Sequence, residues 1–562
     1  MEAPLLDGTV VPVFATAAMR EADRATIEEF GIPSFTLMER AALGAFEFLA
    51  ERYAPIAERD ALVFAGAGGN GGDGLALARM LACAGASVTV VTTADGDVRE
   101  DTAKNLELLE RLVAAPGVAP ITVHRVERGS ANEDTGDRLF DALAAFSSYD
   151  FCVDAVLGIG ARTELDPPEW DLCRHVQIFG EASGVETIAL DLPSGVDSDS
   201  GRVGNSHVHA SVTLAFGAPK PGHLFGEGRE RSGEVHVLDI GIPPHLAERA
   251  VRSKGSALLA TDDWVRARLP HRDFDAHKFS AGQVLAVCGS DRYPGAAALA
   301  SAAAARAGAG YVVCATSERA KDAVDAQCPE VAAVAVERSD AAARALVEEH
   351  GRARAVLLGP GLGAPDEEST RAFVRALVES VWDAHLIVDA DGLNALADDA
   401  GRAALRAAAE RLSLAGDGGS DEGCGVVLTP HPGEFARLAG RPASGDPLAD
   451  ARALATDLGA VVVLKGAPTV VATPGKHPPF VAREVEPALA TAGSGDVLAG
   501  LVAGFAAQNA TALEAAVLGV HVGGLAAERA CHDRAARSVV ASGVVAEVPA
   551  ALDALEGDRA VR

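Results

Sequence analysis

Aromatic residues make up only 4% of this 562-residue chain, and lysine occurs only at Lys104, Lys220, Lys254, Lys278, Lys321, Lys465 and Lys476. With 49% hydrophobic residues, the interior must be packed from alanine, valine and leucine, and the length suffices for two or more domains with sizeable cores. A formal charge of −30 and a pI near 4.9 argue against a nucleic-acid-binding face. Cysteine is sparse, with 8 residues in apolar contexts and no CxxC pair, which favours reduced, buried thiols over a disulfide framework or zinc site. No basic stretch precedes an apolar core in Met1-Glu2-Ala3-Pro4-Leu5-Leu6-Asp7, so no secretory signal is expected. The alanine-rich run Ala296–Gly310 is broken by Arg306 and by glycines and reads as a buried helix, not a membrane span. The expectation is a cytoplasmic protein without membrane or nucleic-acid partners. The chain also lacks GxxxxGK[ST] and the HRD and DFG elements, which disfavours P-loop and protein-kinase chemistry.

What is present is an α/β pattern in two halves. Helical periodicity over Met19–Phe30 and Thr36–Arg52 precedes a buried strand at Ala61–Ala65, a glycine loop, a helix over Leu75–Ala84 and a strand at Ser87–Thr92. Further strands are predicted at Asp150–Val153, Glu186–Leu190, Ser211–Phe216 and Glu234–Leu238. The pattern lapses around Pro243–Gly255, placing a boundary near residue 250 and domains at 1–250 and 251–562. The second half restarts with strand Gln283–Cys288, helix Ala296–Ala307 and strand Tyr311–Ala315. It continues with strands Ala355–Leu358, Leu386–Val388, Val426–Leu428 and Val461–Leu464. Strands alternating with helices imply mostly parallel sheets covered on both faces. The glycine- and acid-rich segment Gly416–Gly423 reads as a surface loop, and no short-period repeat is present.

In the first half, Gly66-Ala67-Gly68-Gly69-Asn70-Gly71 matches the dinucleotide GxGxxG fingerprint, with Asp95 and Asp97 near the end of the next strand. The continuation Gly72-Asp73-Gly74 puts a carboxylate where a pyrophosphate would sit, which weakens a dehydrogenase reading. Asp154 and Asp191 each follow a strand directly, in Val153-Asp154-Ala155-Val156-Leu157-Gly158-Ile159-Gly160 and Leu190-Asp191-Leu192-Pro193-Ser194-Gly195-Val196-Asp197. Asn70, Asp154 and Ser194 could converge on a hard cation through oxygen ligands. The alternative is that each aspartate merely caps a turn.

These segments, with Gly217-Ala218-Pro219-Lys220-Pro221-Gly222, Met19-Arg20-Glu21-Ala22-Asp23 and Leu37-Met38-Glu39-Arg40, resemble NAD(P)H-hydrate epimerases in residue type and order. Gly69 stands where that family usually has the first of two asparagines. The resemblance implies a Rossmann-like three-layer sandwich, with potassium held by Asn70, Asp154 and Ser194. It implies that Gly69, Asn70, Gly71, Gly72 and Asp73, then Gly158, Ile159, Gly160, Ala161, Arg162, Thr163 and Glu164, and Asp191 hold the hydrated nucleotide. Asp191 is the candidate for acid/base work, with Lys220 as its charge partner.

In the second half, Thr491-Ala492-Gly493-Ser494-Gly495-Asp496 runs into the apolar stretch Val497-Leu498-Ala499-Gly500-Leu501-Val502. Two glycines at a helix start let backbone N–H groups approach an anion. An aspartate there would repel phosphate unless it served the proton of an attacking hydroxyl. The plainer alternative is a helix cap by Ser494 or Asp496. Gly359-Pro360-Gly361-Leu362-Gly363, Asp389-Ala390-Asp391-Gly392-Leu393-Asn394, Thr429-Pro430-His431-Pro432-Gly433-Glu434 and Lys465-Gly466-Ala467-Pro468-Thr469 all follow predicted strands.

In this order, with His277-Lys278 and Tyr293-Pro294-Gly295-Ala296, these motifs resemble the NAD(P)H-hydrate dehydratase branch of the ribokinase-like superfamily. The resemblance implies a three-layer α/β domain in which Ala296, Gly363, His431 and Asp496 meet the hydrated nucleotide. Lys465, Gly466, Ala467, Pro468, Thr469 and Gly495 would contact the adenine nucleotide. Asp496 would be the base, ADP the phosphoryl donor and magnesium the phosphate-bridging ion. The expected activity is bifunctional repair of damaged nicotinamide nucleotides. The R and S hydrates of NADH and NADPH (NADHX and NADPHX) are interconverted, and the S form is dehydrated at the expense of ADP. A homo-oligomer is expected. A vitamin-alcohol kinase fused to a noncatalytic nucleotide-binding module is the competing reading.

Overall fold

Short β-branched runs buried along nearly their whole length, such as Asp60–Ala65, are what a parallel sheet covered on both faces requires. The computed structural model describes all residues except 1–4, 7, 95–97, 127–148, 161–162, 415–424, 484–485 and 558–562. The expectations for Asp95, Asp97, Ala161, Arg162, Cys424 and the Gly416–Gly423 loop lie outside the described residues. The chain divides into two compact units: residues 12–257 with the first few residues, and residues 258–562 with a short N-terminal stretch up to Val11.

The first unit carries a 7-stranded sheet in the order Ile121–Arg125, Ser87–Thr92, Asp60–Ala65, Phe151–Ala155, Glu186–Leu190, Val212–Phe216, Glu234–Leu238. Every neighbouring pair is parallel. Strand order reverses between Asp60–Ala65 and Phe151–Ala155, and ligands bind outside the carboxyl ends of strands at such a point. The helix expected from Leu75 instead begins at Gly69 and runs to Cys83, so the glycine motif is its first turns. Packing overrides glycine's poor helix propensity here. A Cβ on Gly71 would lie 1.7 Å from the Gly66 carbonyl oxygen, and one on Gly74 2.5 Å from the Ala155 methyl. Only a helix start without side chains can lie this close to the sheet.

The second unit's sheet has a parallel core in the order Ala332–Ala335, Tyr311–Thr316, Gln283–Val287, Ala355–Leu358, His385–Val388, Val426–Leu428, Val461–Leu464. Its order reverses between Gln283–Val287 and Ala355–Leu358. Beyond Val461–Leu464 come the antiparallel strands Val470–Ala472 and Phe480–Val481, then Ala257–Ala260 and Val10–Val13. None of these four strands is expected from the sequence pattern, and each is defined by pairing with its neighbour in the sheet. Helix Ser494–Ala506 packs tightly on helix Pro294–Arg306, where a Cβ on Gly500 would fall 2.2 Å from the Ala300 carbonyl oxygen.

Cys152, Cys173, Cys288, Cys314 and Cys328 are buried free thiols, but Cys83 is exposed and Cys531 only half-buried. Cys83 is the last residue of helix Gly69–Cys83 and is exposed there, although its sequence neighbours are apolar. Among the described residues, no helix is long and apolar enough to cross a membrane.

Candidate active sites

In the first unit, the crevice at the sheet's reversal opens into a cavity of about 410 Å³. Gly69, Asn70, Asp73, Gly158, Ile159, Gly160 and Asp191 line it, joined by Met19, Arg20 and Asp23 from helix Thr16–Ala25. Gly71 and Gly72 turn inward against the sheet and helix packing. Thr163 and Glu164 do not line the cavity: the Thr163 carbonyl accepts the Asn205 amide at 3.0 Å, and Glu164 is exposed.

Asp191 stands directly after its strand with φ of 64°, in the left-handed region that aspartate tolerates better than most residues. Its Oδ1 is ion-paired with the fully buried Lys220, and its Oδ2 accepts the Ile159 amide at 3.3 Å. Lys220 also donates to the Phe216 carbonyl at 2.9 Å. His223 locks this arrangement: its Nδ1 accepts the Lys220 amide at 2.9 Å, which leaves Nε2–H to donate to the Asp191 carbonyl at 2.9 Å. Burial, then the Lys220 charge, pushes the imidazole down to about 3, so it stays neutral. Burial also raises two cavity acids: Asp23 is pushed up to about 6 and Asp73 well above the usual carboxylate range.

Beneath the cavity, Asp154 and Ser194 are fully buried and joined at 2.7 Å between Oδ1 and Oγ. The Ser194 amide donates to Asp154 Oδ2 at 2.8 Å, and the Leu157 amide donates to Ser194 Oγ at 2.8 Å. Asn70 spends its Nδ2 on the carbonyls of Leu157 and Leu190, at 2.9 and 3.0 Å. Among the described residues, its buried Oδ1 has no hydrogen-bond partner. Burial raises Asp154 to about 6. The Asn70 carbonyl oxygen, the Asp154 carboxylate and the Ser194 hydroxyl are oxygen donors of the kind a hard cation binds.

In the second unit, the strand-end loops meet around one ion cluster. Asp389, almost wholly buried, accepts from Lys465 Nζ at 2.8 Å and from Thr429 Oγ1 at 2.7 Å, both at Oδ1. Lys465 also lies 3.7 Å from Glu434, whose Oε2 accepts the His431 amide at 2.9 Å. His431 is the N-cap of helix Pro432–Ala439: its Nδ1 accepts from the Gly433 and Glu434 amides, and about half of its side chain remains exposed. Gly466 and Ala467 are exposed beyond Lys465, with Thr469 Oγ1 donating back to the Gly466 carbonyl at 3.2 Å.

Neither Ser494 nor Asp496 caps helix Ser494–Ala506. Its N-cap is Gly493, at φ of 91°, and Ser494 Oγ instead donates to the carbonyls of Leu489 and Thr491. The first-turn amides therefore have no side-chain cap. A Cβ on Gly495 would lie 3.3 Å from Lys465 Nζ and 3.9 Å from Asp389 Oδ2, so this turn faces the cluster. Burial, then the negative charge of Asp389, pushes Asp496 up to about 7, with Lys465 opposing. On the other side, Asp391 accepts the Gly363 amide at 2.7 Å, and a Cβ on Gly361 would fall 2.5 Å from that of Ala296. Gly495 thus adjoins the Lys465–Asp389 pair, while Gly363 adjoins Asp391 and Ala296 adjoins Gly361.

Asp389, Asp391 and Glu434 belong to motifs visible in the sequence, yet their roles in the cluster required the fold. Arg338 had no local signal at all. It sits beyond strand Ala332–Ala335 and donates to the Leu362 and Gly363 carbonyls and to Thr370, bracing the glycine loop.

Two family models match the chain: that of NAD(P)H-hydrate dehydratase over residues 284–549, and that of the YjeF-related protein N-terminus over residues 34–222. The bifunctional NAD(P)H-hydrate repair enzyme of Salinibacter ruber is 40% identical over 549 residues, covering 96% of this chain and 95% of its own. That of Moorella thermoacetica is 35% identical over 552 residues, with 96% of each chain covered. Among solved structures, the ADP/ATP-dependent NAD(P)H-hydrate dehydratase from Bacillus subtilis, co-crystallised with ATP and Mg2+, is 29% identical. It matches with a TM-score of 0.43, covering 53% of this chain and 98% of that one. Two units, each with a strand-end site of its own, and full-length similarity to proteins carrying both activities lead to one assignment: this chain belongs to the family of bifunctional NAD(P)H-hydrate repair enzymes.

Proposed function

We propose that the second unit dehydrates the S hydrates of NADH and NADPH at the expense of ADP, and that the first unit interconverts the R and S hydrates so that both are recovered. The observation that carries the dehydratase reading is the Asp496 carboxyl in the first turn of a helix with no side-chain cap, facing the Lys465–Asp389 pair. Asp496 takes the proton of the ring hydroxyl while that oxygen attacks the terminal phosphoryl group. The amides of the Gly493–Gly495 turn and the Lys465 ammonium stabilise charge on the transferred group. The products of this transfer are AMP and a phosphorylated hydrate. The carbon–oxygen bond then breaks toward phosphate, pushed by the ring nitrogen's electron pair. Loss of a proton from the adjacent carbon restores the reduced ring.

Magnesium would be carried on the nucleotide's phosphates, where it offsets their charge. Asp389 suits it, because both partners of this carboxylate bond Oδ1 and leave Oδ2 toward Gly495. Mixed hydrate epimers incubated with ADP or with ATP test the reading. Return of absorbance at the reduced-nicotinamide band, with orthophosphate and AMP in equal amounts from ADP, is expected. Accumulation of a stable phosphorylated product would instead indicate a kinase.

In the first unit, Asn70, Asp154 and Ser194 would hold potassium, which supplies a fixed positive charge under the substrate loop. The unpartnered Asn70 Oδ1 supports this. Adding potassium to enzyme in a large organic cation buffer is expected to raise the first unit's Tm. A hundredfold excess over Kd contributes about 2.7 kcal/mol. Asn70→Ala should abolish that rise, and an equal rise in the variant would remove Asn70 from the site.

A further inference from the structure

We propose that Asp23 is the catalytic proton donor of epimerisation, working opposite Asp191; this rests on the reading of the first unit as an epimerase. Asp23 lines the cavity from helix Thr16–Ala25, whereas Asp191 enters from the end of strand Glu186–Leu190, so the two carboxyls reach the same space from different elements. They differ in partners. Asp191 is ion-paired with Lys220 and accepts the Ile159 amide, which sets it up as the proton acceptor. Among the described residues, Asp23 forms no ion pair.

The charged groups facing Asp23 are Lys220, Asp191 and Arg99, with Arg20, Asp73 and Asp101 also on the cavity wall. The other charges of its helix face outward. Arg24 is held by Glu21, Glu28 and Glu29, and Arg249, from helix Pro244–Val251, binds Glu21 and Glu29. Burial lifts Asp23 to about 6, close to working pH, where a carboxyl can both hold and release a proton. Burial, then the charges of Asp191, Asp23 and Asp101, raises Asp73 as well, but Asp73 sits on the glycine helix Gly69–Cys83.

The step balances without a further reactant. Asp191 takes the hydroxyl proton, the carbon–oxygen bond becomes a carbonyl, and the bond from that carbon to the ring nitrogen breaks. Its electron pair goes to nitrogen, which receives the Asp23 proton. Rotation about the freed carbon and the reverse steps close the ring on the other face.

The test measures epimer interconversion against pH for the full chain and for Asp23→Asn and Asp23→Glu, with ADP-dependent dehydration of the S form as an internal control. The native rate is expected to decline as pH rises through about 6, as the donor loses its proton. Asp23→Asn should cut kcat by about 10²–10⁴, leave KM little changed and abolish the decline, whereas Asp23→Glu keeps it. An Asp23→Asn enzyme that retains the native rate or the native decline, or whose loss lies wholly in KM, overturns the proposal. If the asparagine variant does not fold, the glutamate variant decides: active with the decline supports it, and folded but inactive overturns it. A native chain that interconverts nothing overturns the epimerase reading instead.

Discussion

Asp496→Asn is expected to slow ADP-dependent dehydration by about 10²–10⁴-fold while leaving epimer interconversion at its native rate. Asparagine matches the shape of aspartate and keeps the first turn of helix Ser494–Ala506, but it cannot accept the hydroxyl proton. The native rate should fall as pH drops below about 7, because the base is then protonated. The stability effect runs the other way. The folded carboxyl is raised from the ordinary 3.8 to about 7, so the unfolded chain loses this proton first as pH rises. Its stabilising contribution is complete below about 3.8 and is lost as pH rises to about 7. Asp496→Asn should therefore melt higher than the parent above pH 7, and the gap should close toward acid, as at sites where function strains the fold. Thermal melts at both ends of that range, with single-turnover rates, check both halves. A variant that dehydrates normally would remove Asp496 as the base.

The second large effect is expected from Asp191→Asn, which should reduce epimer interconversion by about 10²–10⁴-fold with dehydration of the S form unaffected. Asparagine tolerates the positive φ of 64° at this position, so the strand end should keep its course. The cost falls on Lys220, whose side chain is fully buried and would keep only the Phe216 carbonyl and a neutral amide as partners. Removing one member of a buried pair typically costs about 3–5 kcal/mol. Loss of activity must therefore be separated from loss of folding, and Asp191→Asn with Lys220→Met does this by removing both charges. The double variant is expected to regain most of the Tm but none of the epimerisation. Regained epimerisation would show that Asp191 acts only as the counterion of Lys220.

Much of this architecture was legible in the chain. Buried strands such as Ala61–Ala65 and Val461–Leu464 announce themselves because a parallel strand covered on both faces must be apolar throughout. The antiparallel strands Val470–Ala472 and Phe480–Val481 did not, since they exist by pairing beyond Val461–Leu464. The helix start at Gly69 is not legible, because glycine propensity argues against a helix, whereas contacts of Gly71 and Gly74 with the sheet demand one.

By itself, the sequence determined the two α/β halves and the position of each chemical motif, because strands, glycine turns and strand-end aspartates are local patterns. Only the tertiary structure decided which charges meet. Asp389 and Lys465 pair across 76 residues, and Asp191 and Lys220 across 29. It also decided that the helix beginning at the Gly493 turn has no side-chain cap and that the turn faces the Lys465–Asp389 pair. It decided, further, that Asp23 and Asp191 share a cavity. Burial and opposing charge set the protonation of these groups, and both depend on neighbours that chain order does not reveal.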